Sequence, residues 1–156
     1  IEMIDPTLSK TIGNTSFEKG KTDDDTAMAI TGIVARYAPA AASSDVTNQP
    51  YSEMLCDYAG ALRVPKEIQN SEVEILIGNV KIYEGRFGNL FVNGREGNFN
   101  GESKNYLNLK APKFVKGGQE VQIRLRIPAG LTVTGTATQN HFLQIEFDGA
   151  ATSVKL

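Results

Sequence analysis

The sequence predicts an all-β protein, an antiparallel β-sandwich with one short helix and an extended N-terminal arm. Three observations carry this. Val121, Ile123, Leu125 and Ile127 alternate with Gln122, Arg124 and Arg126, the period-two pattern of a strand with one buried and one wet face. Leu143, Ile145 and Phe147 alternate in the same way with Gln144, Glu146 and Asp148. Gly, Asn and Pro punctuate the chain between such runs, and a single segment has helical spacing. The stretch from Gln119 to Asp148 holds both clear strands and a short Thr- and Val-rich candidate at 131–136. It is expected to be the organising element of the fold.

From the start, residues 1–22 read as an arm without a sustained period, with Met3, Ile4, Leu8, Ile12 and Phe17 scattered among Pro, Gly, Asn and Ser. Such a segment builds no apolar face of its own, and it packs either on its own domain or on a neighbour. Residues 23–156 are read as one sandwich domain. Asp23, Asp24 and Asp25 are consecutive, which is the wrong spacing for a calcium loop and suits a solvated turn or an acidic cap. Ala27 to Ala38 divides between helix formers (Ala, Met) and strand formers (Ile, Val, Thr), and is read as strand because the rest is β. Pro39 to Pro50 is a loop. Tyr51, Leu55, Tyr58 and Leu62 then form the helical stripe, capped by Thr47 or Asn48 and ended by Gly60 near Leu62.

Beyond Pro65, strands are expected at 72–77, 79–84, 89–92, 105–110, 120–127, 131–136 and 141–148, with a tail after Gly149. Gly85 to Asn105 interleaves five Gly and five Asn with Phe87, Phe91 and Phe99. Both residue types tolerate positive φ, so this is loop-rich chain with aromatic anchors. It serves either as plain connections or as a contact surface. The expected core is Val121, Ile123, Leu125, Ile127, Leu143, Ile145 and Phe147. If the last strand neighbours the 120–127 strand, Arg124 and Arg126 meet Glu146 and Asp148 on the outer face.

Composition excludes several functions. The 156 residues suit one domain with an ordinary core. No run approaches the roughly 20 apolar residues of a membrane-spanning helix. No basic segment followed by an apolar core opens the chain, so no signal peptide is expected; its start at Ile1 points to processing or to residues not shown. Cys56 is the only cysteine, which rules out an intrachain disulfide and suits folding in a reducing cytosol. The net charge of −2 divides as −4 over residues 1–70 and +2 over 71–156. Neither half has the concentrated basic footprint of a specific nucleic-acid binder.

No constellation of catalytic residues emerges. His141 is the only histidine and shares parity with Leu143, so it reads as a structural residue at a strand entry; one His makes no multi-His metal site. No G-x-S-x-G or phosphate-binding loop occurs. Cys56 beside Leu55 reads as packing. Glu72, Glu74, Glu84, Glu96 and Glu102 read as wet-face residues, since nothing sets the separation a glycosidase pair needs. No enzyme, metal or cofactor is expected.

The arm at 1–22, the strand QIRLRIP (Gln122 to Pro128) and the strand HFLQIEFDG (His141 to Gly149) together resemble the small single jelly-roll capsid proteins of tailless icosahedral viruses and phages. These include penton and minor capsid proteins. The resemblance is one of style over about half the chain and carries no specific motif. It implies a jelly-roll-like structural virion protein, folded in the host cytoplasm, whose partners are other capsid subunits in a homo-oligomer. The contact residues it suggests are Met3, Ile4, Leu8, Ile12, Phe17, Phe87, Phe91 and Phe99. The alternative is a carbohydrate-binding or adhesin-type sandwich using Tyr83, Phe87, Phe91 and Asn93, which the absence of Trp weakens.

Overall fold

A computed structural model describes Met3 and residues 17–41, 64–90, 106–131 and 139–153, the side chains of 38–41, 139–141 and 153 excepted. The elements are β1 (Thr26–Ala41), α1 (Lys66–Gln69), β2 (Glu72–Ile77), β3 (Val80–Arg86), a 3-10 turn (Phe87–Leu90), β4 (Tyr106–Val115), β5 (Val121–Arg126) and β6 (Gln139–Ser153). They form two three-stranded antiparallel sheets, ordered β4-β1-β6 and β3-β2-β5. The chain is therefore a β-sandwich, as its periodicity predicts.

The inner faces of the sheets share one core. β1 supplies Ile30, Ile33, Ala35 and Tyr37; β2 supplies Val73, Ile75 and Ile77; β5 supplies Val121, Ile123 and Leu125. Val64 just before α1, Ile68 within it, and Phe87 and Leu90 of the 3-10 turn extend the same cluster. The buried Ser71 ties that end together: its hydroxyl donates to the Glu67 carbonyl at 2.7 Å, and its carbonyl accepts from Phe87 N–H at 2.7 Å. A buried polar residue costs little when both groups are satisfied in this way.

β2 and β3 make a two-residue hairpin, Ile77 opposite Val80. Gly78 has φ +55° and Asn79 has no positive φ, the pattern of a II′ turn that needs Gly first. In β1, Ile30 pairs with Gly149 and Gly32 with Asp148, so Thr31 is an extra residue. This bulge reverses the parity of β1. Ile30 precedes it and Ile33 follows it, three apart, and both point inward. The stretch that reads ambiguously as helix or strand is thus the central strand of its sheet.

Several expectations need correction. Gln119 to Asp148 is not the organising element: β5 and β6 are edge strands of different sheets, and β1 and β2 are the centres. Arg124 and Arg126 accordingly meet Glu74 and Glu72 of β2, not Glu146 and Asp148. Leu143, Ile145 and Phe147 are only partly buried, as an edge strand allows, and Ile127 lies past the end of β5 and is also half-buried. Residues 89–90 belong to the 3-10 turn, and Leu131 follows a turn at 129–130; the rest of the expected strands at 89–92 and 131–136 lies outside the described residues. The helix expected at 51–62 and Cys56 also lie outside them. The tail after Gly149 continues β6 to Ser153.

The arm meets its own domain wherever it is described. Met3 N–H donates to the Ile123 carbonyl at 2.9 Å, and Val121 N–H donates to the Gly20 carbonyl at 2.8 Å. Thr22 exchanges backbone bonds with Gln119 and Gly118, and its buried hydroxyl accepts from Gln119 N–H at 3.0 Å. These bonds cover the free edge of β5, which would otherwise present unpaired backbone groups.

Ile75, fully buried at the centre of β2, tests the core. Ile75→Ala is expected to cost about 2–5 kcal/mol in urea unfolding. Leu76→Ala, on the opposite face, is expected to cost about 1 kcal/mol or less.

Candidate functional site

The outer faces of the two sheets differ in chemistry. On the first sheet, the bulge leaves Gly32, Val34 and Arg36 pointing outward. Tyr106 pairs with Val34, and its ring lies over Gly32. A Cβ at residue 32 would collide with the hydroxyl end of that ring, so a larger residue there must displace Tyr106. From there the Tyr106 hydroxyl donates to Asp148 Oδ2 at 3.0 Å. One side chain thus crosses the central strand and joins β4 to β6. Beside it, Arg36 ion-pairs with Glu146 and donates to Gln144 Oε1 at 3.3 Å.

The other end of that face is apolar. Phe114 of β4 is 74% exposed, against 39% for Leu131, the other exposed large apolar residue among those described. Its partner across the ladder is Ala29, and the partner of Ala29 on β6 is Ala150. Ala27 and Thr152 form the next rung. Met28 and Val115 alternate with these residues and pack on the core side. The result is a small-residue surface with one projecting ring. Lys110 and Lys116 are exposed on the β4 side, and Asp148 is exposed on β6.

The outer face of the second sheet is a charge network. Glu74, with a side chain 13% exposed, lies 3.1 Å from Arg126 Nη2, 3.8 Å from Arg124 Nη1 and 3.9 Å from Lys81 Nζ. Lys81 also donates to Glu84, and this hydrogen bond raises the ammonium and lowers the carboxyl from their ordinary pKa values. Cross-strand pairing explains the arrangement, since Glu74 stands directly opposite Arg124. Half-burial pushes the Tyr83 phenol up, and its hydroxyl donates to the Arg86 carbonyl at 3.1 Å.

The suggested contact residues are dispersed. Met3 and Phe17 pack against the core of their own domain, and the Phe17 ring lies 6.3 Å from that of Phe147. Phe87 is fully buried in the core, so it is a packing residue and not a surface contact. Ile4, Leu8, Ile12, Phe91 and Phe99 lie outside the described residues, as does the His141 side chain. Sequence reasoning missed Phe114. Its one signal is that Phe114 and Val115 are adjacent in a strand, so one of the two must face outward. No group of three potential metal ligands occurs among the described residues, and no helix there is long and apolar enough to cross a membrane.

Fold and surfaces together define a β-sandwich domain with one apolar and one charged outer face. No known protein family, curated protein or solved structure matches the chain.

Gly32→Ala is expected to displace Tyr106 and lower the thermal midpoint, whereas Tyr106→Phe is expected to cost only about 0.5–1.5 kcal/mol, the net worth of one hydrogen bond. A double-mutant cycle on Glu74 and Arg126 is expected to give a coupling of about 0.5–1 kcal/mol that shrinks as salt rises.

Proposed function

We propose that this chain is a structural assembly subunit, a capsid component of a virion, with a jelly-roll-like fold, that acts by burying surface against neighbouring subunits. The observation that carries the reading is Phe114, 74% exposed on an alanine-lined sheet face. Burying a Phe side chain contributes roughly 1.5–3 kcal/mol. The isolated domain leaves most of that unrealised, and the largest exposed apolar patch of a monomer is often functional. The subunit folds in the host cytoplasm before it joins the virion, and no catalytic step belongs to its role.

The carbohydrate-binding alternative loses ground on two of its residues. Phe87 is buried and presents no ring for a sugar to stack on, and Tyr83 is half-buried with its hydroxyl engaged on Arg86. The test is sedimentation of the full chain over a wide range of concentration, alongside a glycan array. Concentration-dependent association into discrete oligomers is expected. A chain that stays monomeric throughout and binds glycans would overturn the proposal.

A further inference from the structure

We infer that the Phe114 face is an isologous contact between two copies of this chain, packed sheet on sheet about a two-fold axis that runs along β1. This deepens the assembly reading and rests on it. The face is self-complementary. Phe114 projects from one edge strand, and the small Ala150 lies at the same level on the other, with Ala29 between them on β1. A two-fold axis along β1 places β4 of one copy over β6 of the other. Each Phe114 ring then lies on the neighbour's Ala150, and Ala29 faces its own mate at the axis. Nothing bulkier than alanine or threonine obstructs the approach at 27, 29, 150 and 152.

Charge selects this axis over the alternatives. β4 carries the exposed Lys110, and the exposed Lys116 follows its end. β6 carries the exposed Asp148, with Glu146 one outward step further. Lys110 belongs to the segment between the Lys113–Ile30 and Asn108–Gly32 pairs, and Asp148 is the partner of Gly32 on the other side. Lys110 is among the β4 residues 109–112 that stand opposite Thr31 alone, so it lies near the level of Asp148. An axis along β1 brings Lys110 to the neighbour's Asp148 twice. An axis across the strands would instead set β4 over β4, with lysine against lysine and Phe114 against Phe114. Like charges in juxtaposition disfavour that arrangement.

Size sets the strength. Three strands about 4.8 Å apart, over some six residues each, give an apolar centre on the order of 300 Å² per copy. A standard interface uses about 800 Å² per partner. The contact is therefore at the weak, transient end of the interface range, and suits a subunit that makes several such contacts at once.

The experiment is sedimentation velocity on the full chain from roughly 10 μM to 1 mM, with circular dichroism as a check on folding. Phe114→Glu removes the ring. Ala150→Glu leaves the ring in place and puts a carboxylate where the neighbour's ring would lie. Each is expected to raise the dissociation constant at least about tenfold while the β spectrum is retained. Lys110→Glu is expected to weaken the pair, and adding Asp148→Lys is expected to restore it. If the unmodified chain associates and both Phe114→Glu and Ala150→Glu associate equally well, this contact is wrong and the assembly reading stands. If the unmodified chain is monomeric at the top of the range, both fall.

Discussion

The inner faces of β1 and β2 lie on the two sides of one core, and the rest of the sandwich depends on their meeting. Each is the middle strand of its sheet, so each holds two neighbours in register. β2 presents its inner residues by plain alternation: Val73, Ile75 and Ile77 are all fully buried. β1 does so only because Thr31 is inserted at the bulge. Without that residue, either Ile30 or the set Ile33, Ala35 and Tyr37 would face water. The same reversal turns Gly32 outward, and the space above it admits the Tyr106 ring that reaches Asp148 on the far strand. A single extra residue thus sets both the core of the first sheet and the clasp across its back.

The two outer faces follow from what each central strand turns outward. β2 turns out Glu74 among Arg124, Arg126 and Lys81, and the face becomes a self-satisfied network of opposite charges. Such a surface remains comfortable in water and has little need of a partner. β1 turns out Ala27 and Ala29 at one end, opposite Phe114 on β4 and Ala150 and Thr152 on β6. There a large ring is exposed, and the structure around it offers no apolar cover among the described residues. The contrast explains why the proposed contact belongs to the first sheet.

Much of the second sheet was legible in the sequence, because β2 and β5 obey period two without interruption over their inner residues, whereas β3 carries an extra residue, Ile82, between the pairs Ile75–Tyr83 and Leu76–Lys81. The 72–77 strand matches β2 in both limits, and Val121, Ile123 and Leu125 are core residues as their alternation requires. The first sheet was harder to read. β1 mixes Ala, Gly, Pro and Ile, and its bulge places two inward residues three apart, a spacing that also suits a helix. Relative strand positions are not legible at all: Arg124 and Arg126 meet Glu146 and Asp148 only if β5 and β6 are neighbours, and the two lie in different sheets. The site fared worst. Phe114 lies beside Val115, and only the pairing of β4 with β1 reveals which of the two is buried. Phe87 has loop-like neighbours in the sequence, yet it is core because the 3-10 turn folds it against α1.

Native-state hydrogen exchange tests most directly whether β1 and β2 are the organising strands. Amides that exchange only through global unfolding mark the most stable unit of a protein. The account predicts that the hydrogen-bonded amides of Ile33 and Ala35 in β1 and of Val73 and Ile75 in β2 belong to that class, while those of β6 beyond Gly149 exchange through smaller openings. Fast, local exchange in β1 and β2 beside full protection in β5 and β6 would contradict it.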